Sequence, residues 1–183
     1  GLLDFIRAKS LLSNEYKCVV PEITDEPTFL WRQARHPLLE QKLKSQNKHI
    51  TPLDLSLDKD NRILVISGPN AGGKSVCLKT IGLVQYMLQC GLAVPMEIDS
   101  QCGIFHDMFI DIGDSQSLEN DLSTYSSHLI NMKELLSHAN NRTLFLIDEF
   151  GTGTEPQLGG AIAEAILLKM NEKKSFGVVT THY

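Results

Sequence analysis

Four apolar residues, Ile63-Leu64-Val65-Ile66, lead into Gly68-Pro69-Asn70-Ala71-Gly72-Gly73-Lys74-Ser75, and a helix-forming run follows over residues 74–90. The octapeptide fits G-x-x-x-x-G-K-[ST] at every fixed position, with a buried strand before it and a helix after it. That order constrains the fold more tightly than any other feature of the chain. The glycines let backbone N–H groups curl around phosphate oxygens without obstruction by Cβ. The helix N-terminus adds a partial positive charge. Lys74 is expected to neutralise the β- and γ-phosphates of ATP, Ser75 to ligate Mg²⁺, and Val76 to complete the nucleotide cradle.

A second run, Leu144-Phe145-Leu146-Ile147, ends in Asp148-Glu149, and 74 residues separate Lys74 from Asp148. Two carboxylates at the end of a buried strand sit at the edge where α/β sheets bind ligands. Asp148 is expected to hold Mg²⁺ through water, and Glu149 to orient or deprotonate the attacking water. The two motifs together indicate a nucleotide triphosphatase. Adjacent acids favour hydrolysis over a small-molecule kinase, which needs an acceptor pocket and a mobile lid. His182 follows the last apolar strand at the same edge, where an imidazole can hydrogen-bond a γ-phosphate; a terminal, solvent-exposed histidine is the plainer alternative.

The rest of the chain alternates strands and helices. Helices are expected over residues 2–12, 74–90 (closed by Gly91), 126–139 and 157–171. Strands are expected near 28–32, over Thr143–Ile147 and 176–180, with two or three more within 92–112. Leu53, Leu55 and Leu57 alternate with polar residues before the turn at 58–61, so residues 53–66 read as a hairpin. The prolines at 21, 27 and 37 mark an irregular stretch. The pattern implies a three-layer α/β phosphate-loop fold with a mainly parallel sheet and a small antiparallel annex.

Composition sets limits on partners. With 17 Lys+Arg against 22 Asp+Glu, the net charge of -5 does not suit a module that grips nucleic acid alone. No apolar run approaches the roughly 18 residues of a membrane helix, and Asp4, Arg7 and Lys9 interrupt any signal-like pattern at the start. Cys18, Cys77, Cys90 and Cys102 lack C-x-x-C spacing and read as free thiols of a cytoplasmic protein. Cys102 and His106 make a poor metal site without a second pair.

The order of strand, phosphate loop, Asp-Glu and strand-end histidine resembles an ABC-type ATPase, and the finer wording resembles the MutS family. Residues 68–75 resemble its GPNxGGKS loop. Residues 148–154 resemble its DE-x-G-x-GT loop, and residues 181–183 its THY. Ala34-Arg35-His36-Pro37-Leu38-Leu39 is similar to its RHP-plus-aliphatic segment. Residues 111–117, residues 122–128 and Glu155-Pro156-Gln157 resemble the bacterial MutS-two branch, linked to recombination control and stalled-ribosome rescue. Phe150, Ser75 and Tyr125 depart mildly from the pattern without altering the chemistry.

The resemblance implies a two-fold homodimer with composite sites. Ser123 and Thr124 stand in place of the ABC signature, where a hydroxyl donates to the γ-phosphate held by the opposite subunit; the alternative is that they cap their own helix. Asp114 and Gln116 correspond to the Q-loop, and His49 or Ile50 is the candidate to stack on adenine. The implied function is an ATP-gated clamp acting on mismatched, branched or duplex DNA, or on stalled ribosomes. Residues 1–15 read as the end of a preceding lever or clamp helix, and residues 16–183 as the ATPase domain of a longer protein. Its recognition domains are expected before residue 1, and dimerising helices or a nuclease domain after Tyr183. An SMC or Rad50 type would separate the two motifs with a long coiled coil, and a transporter subunit would show LSGGQ where this chain has LSTYS. A nucleotide-gated interaction module with negligible turnover is the remaining alternative.

Overall fold

A computed structural model of the chain describes residues 1–68, 73–112, 121–152 and 154–182, with 121–127 described by their backbone alone. The elements in chain order are α1 (Leu2–Glu15), β1 (Glu22–Thr24), β2 (Phe29–Ala34), α2 (Pro37–Ser45), β3 (Leu53–Leu57), β4 (Ile63–Ser67), α3 (Lys74–Gln89), β5 (Gln101–Gly103), β6 (Asp107–Asp111), α4 (Asp121–His138), β7 (Thr143–Ile147), α5 (Pro156–Glu172) and β8 (Phe176–Thr181). They fall into two compact units, Gly1–Ser56 with Lys79–Ile104 and Leu57–Leu78 with Phe105–Tyr183. The architecture is α/β.

The first unit carries a mixed sheet in the order β1-β5-β2-β3. β1 runs parallel to β5, and β5 runs antiparallel to β2, with Phe29 opposite Cys102. Alternation on β2 buries Phe29 and Trp31, whose rings meet edge to face at 5.0 Å. The alternation slips at Gln33, which has φ 51 and donates its amide to Asp54 at 2.7 Å; Ala34 then returns to the buried face. Ile81, Val84 and Val94 are fully buried in the same unit. α3 ends as foreseen at Gly91: with φ 72, it donates to Leu88 O while Leu92 donates to Met87 O, a Schellman closure.

One helix here was not anticipated. Residues 37–45 form α2 within the stretch expected to be irregular. Pro37 occupies its first turn, where the missing N–H costs nothing, and His36 Nδ1 accepts the Leu39 amide at 3.3 Å. Burial lowers the His36 pKa, which keeps the ring neutral and able to cap. Arg35 Nε donates to Glu40 at 3.2 Å, and its guanidinium also donates to the carbonyls of Tyr16 and Lys17. The Arg-His-Pro segment is therefore a helix start.

The second unit carries a sheet in the order β4-β8-β7-β6, and every pairing is parallel. β7 is buried at all five residues and β8 at its first five, as apolar strands without alternation should be. Met132 and Leu135 of α4 and Ala163, Ile166 and Met170 of α5 join β7 and β8 residues in one apolar core. Gly177 makes room in that core, since a Cβ there would lie 2.2 Å from the Phe145 ring. α5 starts at Pro156 with Glu155 as its cap, accepting the amides of Gln157 at 3.2 Å and Leu158 at 2.9 Å.

The expected hairpin over 53–66 does not form. The turn is present, with Asp58 Oδ1 accepting the amides of Asp60 and Asn61 at 2.8 Å each. β3 nevertheless joins the mixed sheet and β4 pairs with β8 in the parallel one. A tight turn between two strands does not oblige them to share a ladder.

Candidate functional site

Parallel strands all point the same way, so the C-terminal ends of β4, β8, β7 and β6 share one edge of the sheet. Register places Ser67 opposite Thr181, and Ile147 opposite both Asp111 and Val179. Beyond these ends lie Gly68, His182, Asp148 with Glu149, and Ile112. Residues remote in sequence thus meet at one place.

Gly68 and Gly73 flank the phosphate loop with φ of 136 and 80, values that an L side chain resists. Pro69, Asn70, Ala71 and Gly72 lie outside the described residues. Lys74 opens α3 and is 5% exposed. Its ammonium donates to the carbonyl of Gly68 and, at 3.1 Å, to that of Thr181. Ser75 is half-buried and Val76 exposed in the same first turn.

Asp148 and Glu149 are held from both neighbouring strands. The Asp148 amide donates to Asp111 O of β6 at 3.0 Å. Thr180 of β8 donates its hydroxyl to Asp148 Oδ1 at 2.5 Å, and the Thr180 Oγ1 itself accepts the Glu149 amide at 2.8 Å, an amide that also reaches Asp148 Oδ1 at 3.2 Å. The Phe150 amide donates to Thr180 O at 2.8 Å. Glu149 adopts φ 50, an uncommon conformation for a non-glycine residue, and its carbonyl accepts both the amide and the hydroxyl of Thr152. Its carboxylate lies 3.4 Å from His182 Nε2, with both side chains partly open to solvent. Asp148, by contrast, is only 7% exposed.

A crevice beside Glu149 has Asp111, His128 and Thr152 among its walls. His128 Nδ1 lies 2.7 Å from Asp111 Oδ2, and this hydrogen bond raises the His128 pKa. From sequence, Asp111 and His128 stand out only as members of the family-like segments 111–117 and 122–128, and neither they nor Thr180 are assigned a role in the site. The available signals were a polar residue inside an apolar strand at 180 and an acid ending a strand at 111.

Other sequence candidates fall elsewhere. α4 begins at Asp121, so the backbone of Ser123 and Thr124 lies in its first turn; neither is the capping residue, and nothing of their side chains is described. Asp114, Gln116 and Tyr183 lie outside the described residues. His49, exposed, and Ile50, half-buried, belong to the first unit, between α2 and β3. All four cysteines are free, and burial pushes the Cys102 thiol up to about 12. No described helix is long and apolar enough to cross a membrane.

Residues 64–183 match the family model for MutS domain V. Over all 183 residues the chain is 46% identical to proteins named Endonuclease MutS2 from Enterococcus faecalis and from Ligilactobacillus salivarius. It is 44% identical over 182 residues to the Carboxydothermus hydrogenoformans protein of the same name. The whole chain is covered in each comparison but only 22% of the relative, so it spans about a fifth of the proteins it matches. The parallel-sheet unit, whose strand ends gather Lys74, Asp148, Glu149 and His182, lies almost wholly within the matched region, which also takes in Lys79–Ile104 of the other unit, and the chain belongs to the MutS family, on the side of its MutS2 members.

Proposed function

We propose that this chain is the ATP-binding and ATP-hydrolysing core of a MutS-type protein, built as a phosphate-loop NTPase of the ABC kind. The observation that carries the reading is the common strand edge. Lys74 reaches the carbonyl of Thr181 at 3.1 Å, and the next residue, His182, lies 3.4 Å from Glu149, which follows Asp148. Cation, metal-binding acid, base and histidine thus belong to one cluster. The glycines at 68 and 73 supply the backbone freedom a phosphate cradle requires.

Each side chain then has a task. The Lys74 ammonium exchanges its two carbonyl partners for β- and γ-phosphate oxygens. The Ser75 hydroxyl and the Asp148 carboxylate are hard oxygen donors, few in number, which suits Mg²⁺ because that ion retains several waters. Bound Mg²⁺ neutralises charge on the phosphates. Glu149 accepts a proton from the attacking water, and His182 orients the Glu149 carboxylate and the γ-phosphate. The segment 68–76 would bind the phosphates of the nucleotide.

In the longer protein, Ser123 and Thr124 of one subunit would complete the site of the other in a homodimer, closing a clamp in response to ATP. Residues 1–15 would continue a lever helix, and 16–183 would be the ATPase domain. The word endonuclease in the relatives' names supports an action on nucleic acid; the substrate proposed is DNA, mismatched, branched or duplex, with any nuclease chemistry in a part of the relatives that this chain does not span, and a ribosomal target is the second possibility for the same clamp. A cytoplasmic setting suits both. Titration calorimetry with ATP and Mg²⁺ tests the core of the proposal: Lys74→Ala should abolish most ATP affinity while the thermal transition persists. Equal affinity in the two proteins would overturn it.

A further inference from the structure

We infer that Thr180 is a positioning residue that registers the metal-binding acid against the base. The inference rests on the ATPase reading above and adds a residue which that reading does not use. Thr180 is fully buried in β8, a strand whose preceding residues Phe176, Gly177, Val178 and Val179 are apolar or glycine. Valine has the same shape and suits a buried strand better, so the hydroxyl needs a reason. Its hydrogen goes to Asp148 Oδ1 at 2.5 Å, and its oxygen receives the Glu149 amide at 2.8 Å. One hydroxyl thus serves as donor to the first acid and as acceptor from the backbone of the second.

The consequence is geometric. Asp148 has its carboxylate turned toward β8, and of the two groups that bond its Oδ1 the Thr180 hydroxyl is the nearer, at 2.5 Å against 3.2 Å for the Glu149 amide. Glu149 sits at φ 50, and its peptide is held by the Thr180 hydroxyl on the amide side and by Thr152 on the carbonyl side. Removing the hydroxyl leaves Asp148 Oδ1 with only the longer, 3.2 Å contact to the Glu149 amide, and so loosens both the Asp148 rotamer and the uncommon Glu149 backbone. The Lys74 contacts involve the carbonyls of Gly68 and Thr181 and do not pass through the Thr180 hydroxyl.

Thr180→Val removes the hydroxyl and keeps the shape; Thr180→Ser keeps the hydroxyl. ATP binding without Mg²⁺, the Mg²⁺ concentration for half-maximal activity, and phosphate release are measured for both and for the unaltered chain, with Glu149→Gln as reference. A hydrogen bond to a charged group is worth roughly ten- to a hundredfold in an equilibrium or rate. Thr180→Val should therefore lose about that much in kcat and need more Mg²⁺, while its ATP affinity without Mg²⁺ stays within about threefold, as expected when Lys74 carries that binding. Thr180→Ser should restore most of both. Unchanged kcat and Mg²⁺ dependence in Thr180→Val, or equal impairment of the Val and Ser variants, would overturn the role of Thr180 alone. Failure of the unaltered chain to bind or hydrolyse ATP would instead overturn the parent reading, and the positioning role with it.

Discussion

The two sheets of this protein treat buried polar groups differently. In the mixed sheet's unit they serve the fold: Glu40 of α2, 8% exposed, accepts from Arg35 Nε at 3.2 Å, and Gln85, fully buried, donates to Gln89 and to Gly103 O at 2.9 Å each. In the parallel sheet's unit, Lys74, Asp148 and Thr180 are equally secluded but converge at one edge. The difference follows from strand direction. A parallel sheet sends every strand end to the same side, whereas antiparallel neighbours send theirs to opposite sides. The all-parallel sheet therefore gathers, from the segments that follow three separate strands, a lysine, two acids and a histidine.

If chemistry resides in that edge alone, the largest effect should come from Glu149→Gln. Loss of a general base costs about 10²–10⁴-fold in rate, and phosphate release should fall accordingly while ATP still binds. In a protein extended past Tyr183, the variant should accumulate as an ATP-dependent dimer by sedimentation. Wild-type rates in Glu149→Gln would move the catalytic role to His182.

Trp31→Ala probes the other side of the comparison. Trp31 is 1% exposed and stacks edge to face on Phe29, and truncating such a residue costs about 3–5 kcal/mol. Chemical denaturation should show that loss; a cost below about 1 kcal/mol would mean that the mixed sheet's core is looser than its burial indicates. Gly177→Ala is the corresponding change in the parallel unit, where the new methyl meets the Phe145 ring. About 1–3 kcal/mol of destabilisation is expected from such overpacking, read from the same denaturation curves.

The smallest effect is that of pH on His128. Its pKa is raised in the folded protein by the hydrogen bond to Asp111, against an ordinary value near ~6.5 in the unfolded chain. A group with a raised folded pKa contributes stability fully below the unfolded value and loses it as pH rises through the folded one. The difference in Tm between the unaltered chain and His128→Gln should therefore be greatest near the acid end of a series from about pH 5.5 to 8.5, and should shrink toward the alkaline end. A difference that grows with pH would contradict the Asp111 pairing.

Several elements could be read directly from the residues because local chemistry decides them. Thr143–Ile147 is a strand from end to end because nothing in it is polar except its first residue. Gly91 closes α3 because glycine reaches a positive φ without strain. α2 was hidden by Pro37, read as a breaker although a proline suits the first turn of a helix when His36 supplies the cap. α4 starts earlier than expected, at Asp121, because the polar run before residue 126 offers no apolar periodicity to mark a beginning.

What the amino-acid order determines by itself is the set of chemical parts and the secondary structure around them. A glycine-rich turn ending in Gly73-Lys74-Ser75 and a buried strand ending in Asp148-Glu149 are both consequences of side-chain size, polarity and backbone freedom within a few residues. Partner choice between strands belongs to the tertiary structure. β3 and β4 are joined by a well-formed turn yet enter different sheets, because pairing depends on which neighbour completes each buried face. The same holds for Thr180: its place in an apolar strand is visible in the sequence, but its bond to Asp148 spans 32 residues and exists only because β8 pairs with β7 in that register.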